Sequence, residues 1–328
     1  MEKVFITGAD GMLGASICRE CLKQGFSVKA MTLPGRVVHV LDGLDVERLE
    51  GNILDTAFLD GAIAGCDYVI HVAASTTVWP RRMKSIVEVN VEGTRNVAAA
   101  ARKHLIKRMV HIGTANSFGH GSKEHPGNEL SAFSFGTFKL DYIDSKLYIQ
   151  KELLRMNKEE DFPVIIVNPT YMIGPFDSGP SSGKMVLELL KGNMPGYSLG
   201  GKNFVCSIDV AVAAVNALKL GQTGQCYIAG NENLNYKEFF MKVCEEGNIK
   251  FKLIKVPAFL VLGLGLFNSL LARILGKAPR ISYTMARMSG VSQYYDSTKA
   301  RKELDMPQTP IKEGIALCVN WFKSNGYL

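Results

Sequence analysis

The chain has 328 residues, 47% hydrophobic and 21% charged, a balance that excludes disorder and collagen-like repeats and leaves ample material for a buried core. At about 150 residues per domain, the length fits two domains or one large α/β unit with an appendage. Lys and Arg number 38 against 31 Asp and Glu; with no long block of like charge in the surplus, nucleic acid is not implied, while anionic small molecules are welcome.

Met1 to Thr7 reads as a strand without the basic start and apolar middle of a secretory leader, so the expected location is the cytoplasm. The seven cysteines are odd in number and scattered, which fits reduced thiols better than a disulfide framework. Cys18 and Cys21 form a CxxC on one face of the first predicted helix, with no second pair elsewhere, and read as packing residues. No metal site is expected.

The first half alternates strand and helix patterns, as a parallel doubly wound sheet requires. Residues 4–7 are strand-like, 13–24 form a helix ended by Gly25, and 27–32 form the second strand. Residues 67–72 read as a buried strand, 86–104 as an alanine-rich helix, 108–112 as a strand and 137–156 as a helix. Residues 164–167 make a short β-branched core strand that stops at Asn168-Pro169. The Gly/Pro/Ser-rich segment 174–183 marks a change of architecture.

Beyond it, 204–219 and 225–228 are candidates to return to the sheet. Residues 236–246 and 257–275 read as helices of a smaller lobe, and 311–322 as an amphipathic helix. The longest apolar run, 256–267, is too short to span a bilayer. It reads as a buried or lid helix, ahead of membrane-surface contact through Phe259, Leu260, Leu264 and Phe267 with Arg273 and Lys277 beside them. The expected fold class is therefore α/β, a Rossmann-type doubly wound parallel sheet with a smaller, mostly helical C-terminal substrate lobe. Residues 1–168, with 203–230 returning, make the dinucleotide domain; 169–202 and 231–328 make the lobe.

Two constellations carry chemistry. Thr7-Gly8-Ala9-Asp10-Gly11-Met12-Leu13-Gly14 follows the first strand and opens the first helix. In such a dinucleotide turn Gly8 makes the bend, Gly11 lets backbone N–H groups approach a pyrophosphate, and Gly14 allows close helix packing. Tyr142 and Lys146 form a YxxxK pair on one helix face, behind the strand Val110-His111-Ile112 and the hydroxyl of Thr114. A cation beside the phenol favours phenolate and moves it toward acid–base work.

With these motifs the chain resembles the extended short-chain dehydrogenases/reductases, the NAD-dependent epimerase/dehydratase superfamily, over essentially its whole length. It looks most like the branch of dihydroflavonol-type reductases, 3β-hydroxysteroid dehydrogenases and hopanoid-associated sugar epimerases. Further matching segments are Gly51-Asn52-Ile53-Leu54-Asp55, His71-Val72-Ala73-Ala74, Asn90-Val91-Glu92-Gly93-Thr94, Asn168-Pro169-Thr170, Gly174-Pro175, Ile208-Asp209-Val210-Ala211 and 296–304. The resemblance implies that Gly8, Asp10, Gly11, Met12, Leu13, Thr32, Arg36 and Asn90 belong to the cofactor site. Asn52 and Ile53 would line the adenine, Val72, Ala73 and Ala74 would pass beneath the cofactor, and Pro169 and Thr170 would flank the nicotinamide. Thr114, Tyr142 and Lys146 are the implied catalytic set: Tyr142 exchanges a proton with the substrate oxygen, Thr114 hydrogen-bonds that oxygen, and Lys146 holds the ribose and lowers the Tyr142 pKa.

Two departures refine the expectation. The second strand ends at Thr32 rather than an acid, and Arg36, with Lys29 as the weaker candidate, could meet a 2′-phosphate, which favours NADP(H) over NAD(H). Tyr171 and Lys202 stand where sugar-nucleotide epimerases usually carry Asn and Arg, and a lysine lacks the bidentate fork. The leading expectation is thus hydride transfer between a ketone or aldehyde and its alcohol on a fairly apolar small molecule. A redox-neutral nucleotide-sugar epimerase or dehydratase using the same residues, and a cofactor-bound sensor, are the alternatives. The resemblance implies a homodimer.

The remaining chemistry-bearing residues read blandly. Gly179 to Lys184 is too short for a phosphate loop, though Ser181, Ser182 and Lys184 could touch substrate. His120 and His125 read as loop histidines, His71 and His111 as satisfied core residues, and Asp10 as a possible helix cap.

Overall fold

The computed structural model describes residues 1–35, 38–194, 196–250 and 253–328. In chain order the first half comprises β1 (Lys3–Thr7), α1 (Met12–Lys23), β2 (Ser27–Thr32), β3 (Glu47–Glu50), α2 (Thr56–Ile63), β4 (Tyr68–His71), α3 (Lys84–Val87), α4 (Gly93–Lys103), β5 (Arg108–Ile112), α5 (Asp141–Glu160) and β6 (Val164–Pro169). A π-helical turn, Glu88–Glu92, joins α3 to α4 in one continuous helical stretch. There follow β7 (Tyr171–Ile173), α6 (Lys184–Leu190), β8 (Gly196–Tyr197), β9 (Gly201–Cys206), α7 (Ser207–Asn216), β10 (Cys226–Ala229) and β11 (Glu232–Asn235). The chain closes with α8 (Tyr236–Glu246), β12 (Ile254–Lys255), α9 (Ala258–Leu275), α10 (Tyr283–Ser289), β13 (Ser292–Gln293), α11 (Thr298–Glu303) and α12 (Ile311–Ser324).

Seven strands form a sheet in the order β10-β6-β5-β4-β1-β2-β3, every neighbouring pair parallel. Its central strands are continuous apolar runs because helices cover both faces, as the buried Val164–Val167 stretch illustrates. The strand order reverses between β1 and β4, so the C-terminal ends of these two strands frame a crevice. A second sheet of β11, β9, β13 and β7 packs with α6, α8 and α12 around a separate core in which Phe204 and Phe239 stack at 3.9 Å.

Three elements differ from the expected pattern. The helix expected over 137–156 begins only at Asp141 and runs to Glu160. A 3-10 turn, Phe135–Phe138, buries two phenylalanines first, and Lys139 at φ 49° takes a left-handed conformation that an α-helix cannot continue through. Of the segments proposed to return to the main sheet only β10 does so; β9 belongs to the second sheet, and 207–216 is a helix packed against α1.

The third difference is α9. Its 18 residues are long and apolar enough, by length and composition, to cross a membrane, and it is not buried. Gly265, Ser269 and Ala272 form a small-residue stripe that faces α10, where a Cβ on Gly265 would meet the Ala286 methyl at 2.7 Å. That close fit consumes only the small face, leaving Phe259, Leu264, Phe267 and Ile274 in solvent.

Candidate active site

The crevice begins with the glycine turn. Gly8 has φ +69°, and a Cβ there would lie 2.8 Å from the Ala73 backbone nitrogen, so only glycine lets the turn rest on the end of β4. At Gly14 a Cβ would lie 2.1 Å from the Gly8 carbonyl oxygen, which fixes how closely α1 packs on the turn. Gly11 differs: a Cβ would meet only the Gly8 oxygen at 3.5 Å, so the missing side chain opens space toward the crevice. Gly11 also caps α1 without a side-chain bond, and the first turn holds no acid. The first-turn N–H groups are thereby left for an anion, and these residues fit a dinucleotide pyrophosphate. Asp10, considered as a helix cap, does not hold that position.

Thr7 anchors the neighbouring loop, an assignment the sequence did not reveal. Its hydroxyl oxygen accepts the N–H groups of Val72 and Ala73 at 3.1 Å each and lies 2.7 Å from His71 Nδ1. The other His71 nitrogen lies 2.9 Å from the Thr94 hydroxyl. Burial holds His71 down at about 3, hence neutral. His111, 5.3 Å away between ring centroids, is fully buried, but neither nitrogen has a hydrogen-bond partner among the described residues, unlike the satisfied residue expected.

The catalytic candidates converge at the ends of β5 and α5. Thr114 opens the turn after β5; its N–H donates to Asn168 Oδ1 at 3.0 Å, and Gly113 leaves the room Asn168 needs, since a Cβ there would lie 2.1 Å from Oδ1. The Asn116 N–H donates to Thr114 Oγ1 at 3.3 Å, which leaves the Thr114 hydroxyl proton to be given elsewhere, and the Thr114 side chain favours the Tyr142 phenolate. Lys146, one turn along α5, is buried and donates to the Ile112 carbonyl at 2.7 Å. Burial pushes its ammonium down to about 7. Tyr142 stands above its ordinary value, because burial outweighs the lowering influence of Thr114, and the depression expected from Lys146 does not operate in this arrangement.

A clamp sets the register of α5. Arg82 pairs with Asp141 and, at 3.0 Å, with Asp144, while the Met83 N–H donates to Asp141 at 2.6 Å. Asn90, in the π-helical turn, was expected at the cofactor, yet its amide is occupied: Oδ1 accepts the Ser75 N–H at 2.8 Å, and Nδ2 donates to the Ser75 carbonyl and Ser145 hydroxyl, each at 3.0 Å. Asn90 therefore positions α5 and the loop after β4.

The other predicted residues spread around the same crevice. Met12 and Leu13 are buried in the first turn of α1, and Thr32 is buried at the end of β2. Arg36 lies outside the described residues. Lys29 is not available at that strand end, because its Nζ donates to the Ala62 and Ala64 carbonyls at 3.2 and 3.4 Å. Asn52 is exposed and accepts the Leu54 N–H, whereas Ile53 is buried against Gly93. Ala74 is half-buried after β4, Pro169 is buried at the end of β6, and the Thr170 hydroxyl donates to Asn203 Oδ1 at 2.8 Å. In the Gly179 to Lys184 loop the N–H groups of Ser181 and Gly183 go to the Asp177 carboxylate, at 2.9 Å for the Gly183 bond, so an internal acid occupies the place a phosphate would need.

A dinucleotide turn at a topological switch point, with Tyr and Lys one helical turn apart beside a threonine hydroxyl, defines an NAD(P)-dependent Rossmann enzyme. The chain belongs to the NAD dependent epimerase/dehydratase family, whose model matches residues 4–230, and it is an extended short-chain dehydrogenase/reductase. It is 30% identical over 99% of its length to a Synechocystis sp. protein provisionally named as a dihydroflavonol 4-reductase, covering 95% of that relative. It is 29% identical over 99% of its length to sterol demethylase protein B of Methylococcus capsulatus, covering 99% of it. Among solved structures, gox2253 matches with a TM-score of 0.87 and 29% identity over 100% of both chains. The enzyme is an oxidoreductase.

Proposed function

We propose that the protein interconverts a ketone or aldehyde and its alcohol on an apolar small molecule, with NADP(H) preferred to NAD(H). The observation that carries this reading is the placing of the Thr114, Tyr142 and Lys146 side chains together at the ends of β5 and α5, beside an apolar wall. Phe135, Phe138, Leu140 and Ile143 form a buried cluster against which Tyr142, Met288 and Val291 pack. Sterol in the name of one relative agrees with such a wall. At the position where sugar-nucleotide enzymes use arginine, Lys202 is already committed: Nζ donates to Gln293 at 2.8 Å and lies 5.2 Å from the Tyr171 ring centroid.

When bound, the nicotinamide supplies or accepts the hydride. Tyr142 gives its proton to the substrate oxygen in reduction and takes it back in oxidation, while Thr114 donates to the same oxygen as negative charge grows there. Lys146 in its charged form would hold the nicotinamide ribose. The α1 N-terminus and Gly11 would receive the pyrophosphate. The second strand ends at Thr32 rather than at an acid able to bond a ribose 2′-hydroxyl, which supports NADP(H).

The test is NADPH consumption with a panel of hydrophobic cyclic and linear ketones, comparing wild type with Tyr142→Phe. The substitution is expected to lower kcat by about 100-fold or more while the protein still binds NADPH. Near-wild-type turnover by Tyr142→Phe would refute the mechanism.

A further inference from the structure

The segment 247–295 contains seven Lys and Arg and no Asp or Glu, so the net charge of +7 for the whole chain equals the charge of this one segment. The same segment holds α9. The helix turns its small residues toward α10 and leaves the large ones in solvent, with Phe259 at 72%, Phe267 at 62% and Ile274 at 81% exposure. Lys255 precedes the helix, Arg273 lies in its last turn, and Lys277 and Arg280 follow; all four are exposed, and none forms an ion pair among the described residues.

A soluble amphipathic helix buries its large apolar residues and exposes polar ones. The reverse arrangement, flanked by unpaired cations, is matched by a phase with an apolar interior and an anionic surface. We propose that α9 and its basic flanks dock the enzyme on an anionic lipid bilayer, with the helix lying in the boundary between headgroups and acyl chains. A second copy fits less well, because a two-fold contact through this face would set the two cationic flanks against each other. A spanning orientation fits less well, because the small-residue stripe remains packed on α10 and Arg273 lies within the helix. The hairpin also reaches the side of the molecule that carries Tyr142: Met288, within α10, and Val291, just after it, pack against the same cluster as Tyr142, and the Arg287 guanidinium lies 5.1 Å from the Phe138 ring centroid.

The test is co-sedimentation of the full chain with vesicles of phosphatidylcholine alone and with about one quarter phosphatidylglycerol. Binding to the anionic vesicles is expected to exceed binding to the neutral ones by about tenfold or more and to fall at high salt. Phe259→Asp with Phe267→Asp should abolish it, whereas Arg273→Gln, Lys277→Gln and Arg280→Gln together should remove only the anionic preference. These positions are exposed, and unchanged circular dichroism and NADPH binding would establish that the variants fold. Three results would overturn the proposal: no sedimentation of the folded wild type with anionic vesicles, a dimer that the Phe259/Phe267 variant dissolves while wild type ignores lipid, or resistance of bound protein to alkaline carbonate, which would mean spanning.

Discussion

Replacing Lys146 by methionine should make the protein more stable and less active at neutral pH. Lys146 is buried, its folded-state pKa is about 7 against 10.5 for the free side chain, and among the described residues its polar partner is the Ile112 carbonyl. Between these values the unfolded chain binds a proton that the folded chain largely rejects, so the wild-type lysine disfavours folding. At about 1.4 kcal/mol per pKa unit the penalty is about 4 kcal/mol at pH 7 and falls to about 2 kcal/mol by pH 9, as the unfolded lysine approaches its own titration. Losing the hydrogen bond to Ile112 returns about 1–2 kcal/mol. Lys146→Met should therefore be more stable by about 2–3 kcal/mol at pH 7, with the gap nearly closed at pH 9. Urea unfolding of both proteins from pH 6 to 9 measures this directly. A difference independent of pH, or a variant less stable than wild type at pH 7, would refute the reasoning; retained full activity would refute the catalytic role.

Two further perturbations separate scaffold from site. Gly11→Ala should fold with unchanged melting temperature and bind NADPH about tenfold or more weakly, as read by fluorescence titration, because its methyl enters open crevice rather than backbone. Gly14→Ala should lower the melting temperature, since its Cβ would overlap the Gly8 carbonyl at 2.1 Å. His111→Leu should stabilise the protein by about 1–3 kcal/mol at pH 8 by removing an unpartnered buried imidazole. Its advantage should grow in denaturation curves as pH falls below 6.5: burial lowers the folded-state pKa of His111, so the wild type loses stability as its unfolded chain takes up a proton that the folded one refuses.

The periodicity of the first half was legible because strand and helix patterns alternate with glycine punctuation at Gly8 and Gly25, and because the central strands are apolar on both faces. The candidate trio stood out because Tyr142 and Lys146 share a helix face and Thr114 follows a strand. The polar supports could not. Asn168 and Asn90 act across more than fifty residues, Thr7 binds backbone at the end of another strand, and Asp177 folds back on its own loop. No local pattern distinguishes such residues from solvated ones. The exposure of α9 was missed for a related reason: an apolar run states that a helix avoids water, and only the packing of its small face on α10 shows that the large face finds no partner among the described residues.

Redox chemistry on an external substrate requires a dinucleotide that exchanges with solvent after each turnover. Native mass spectrometry of the purified protein, followed by titration with NADPH, NADH and their oxidised forms, should find protein that releases its dinucleotide and binds NADPH better than NADH. NAD(H) retained at nearly one per chain would contradict the account, because a redox-neutral epimerase or dehydratase regenerates its cofactor in place.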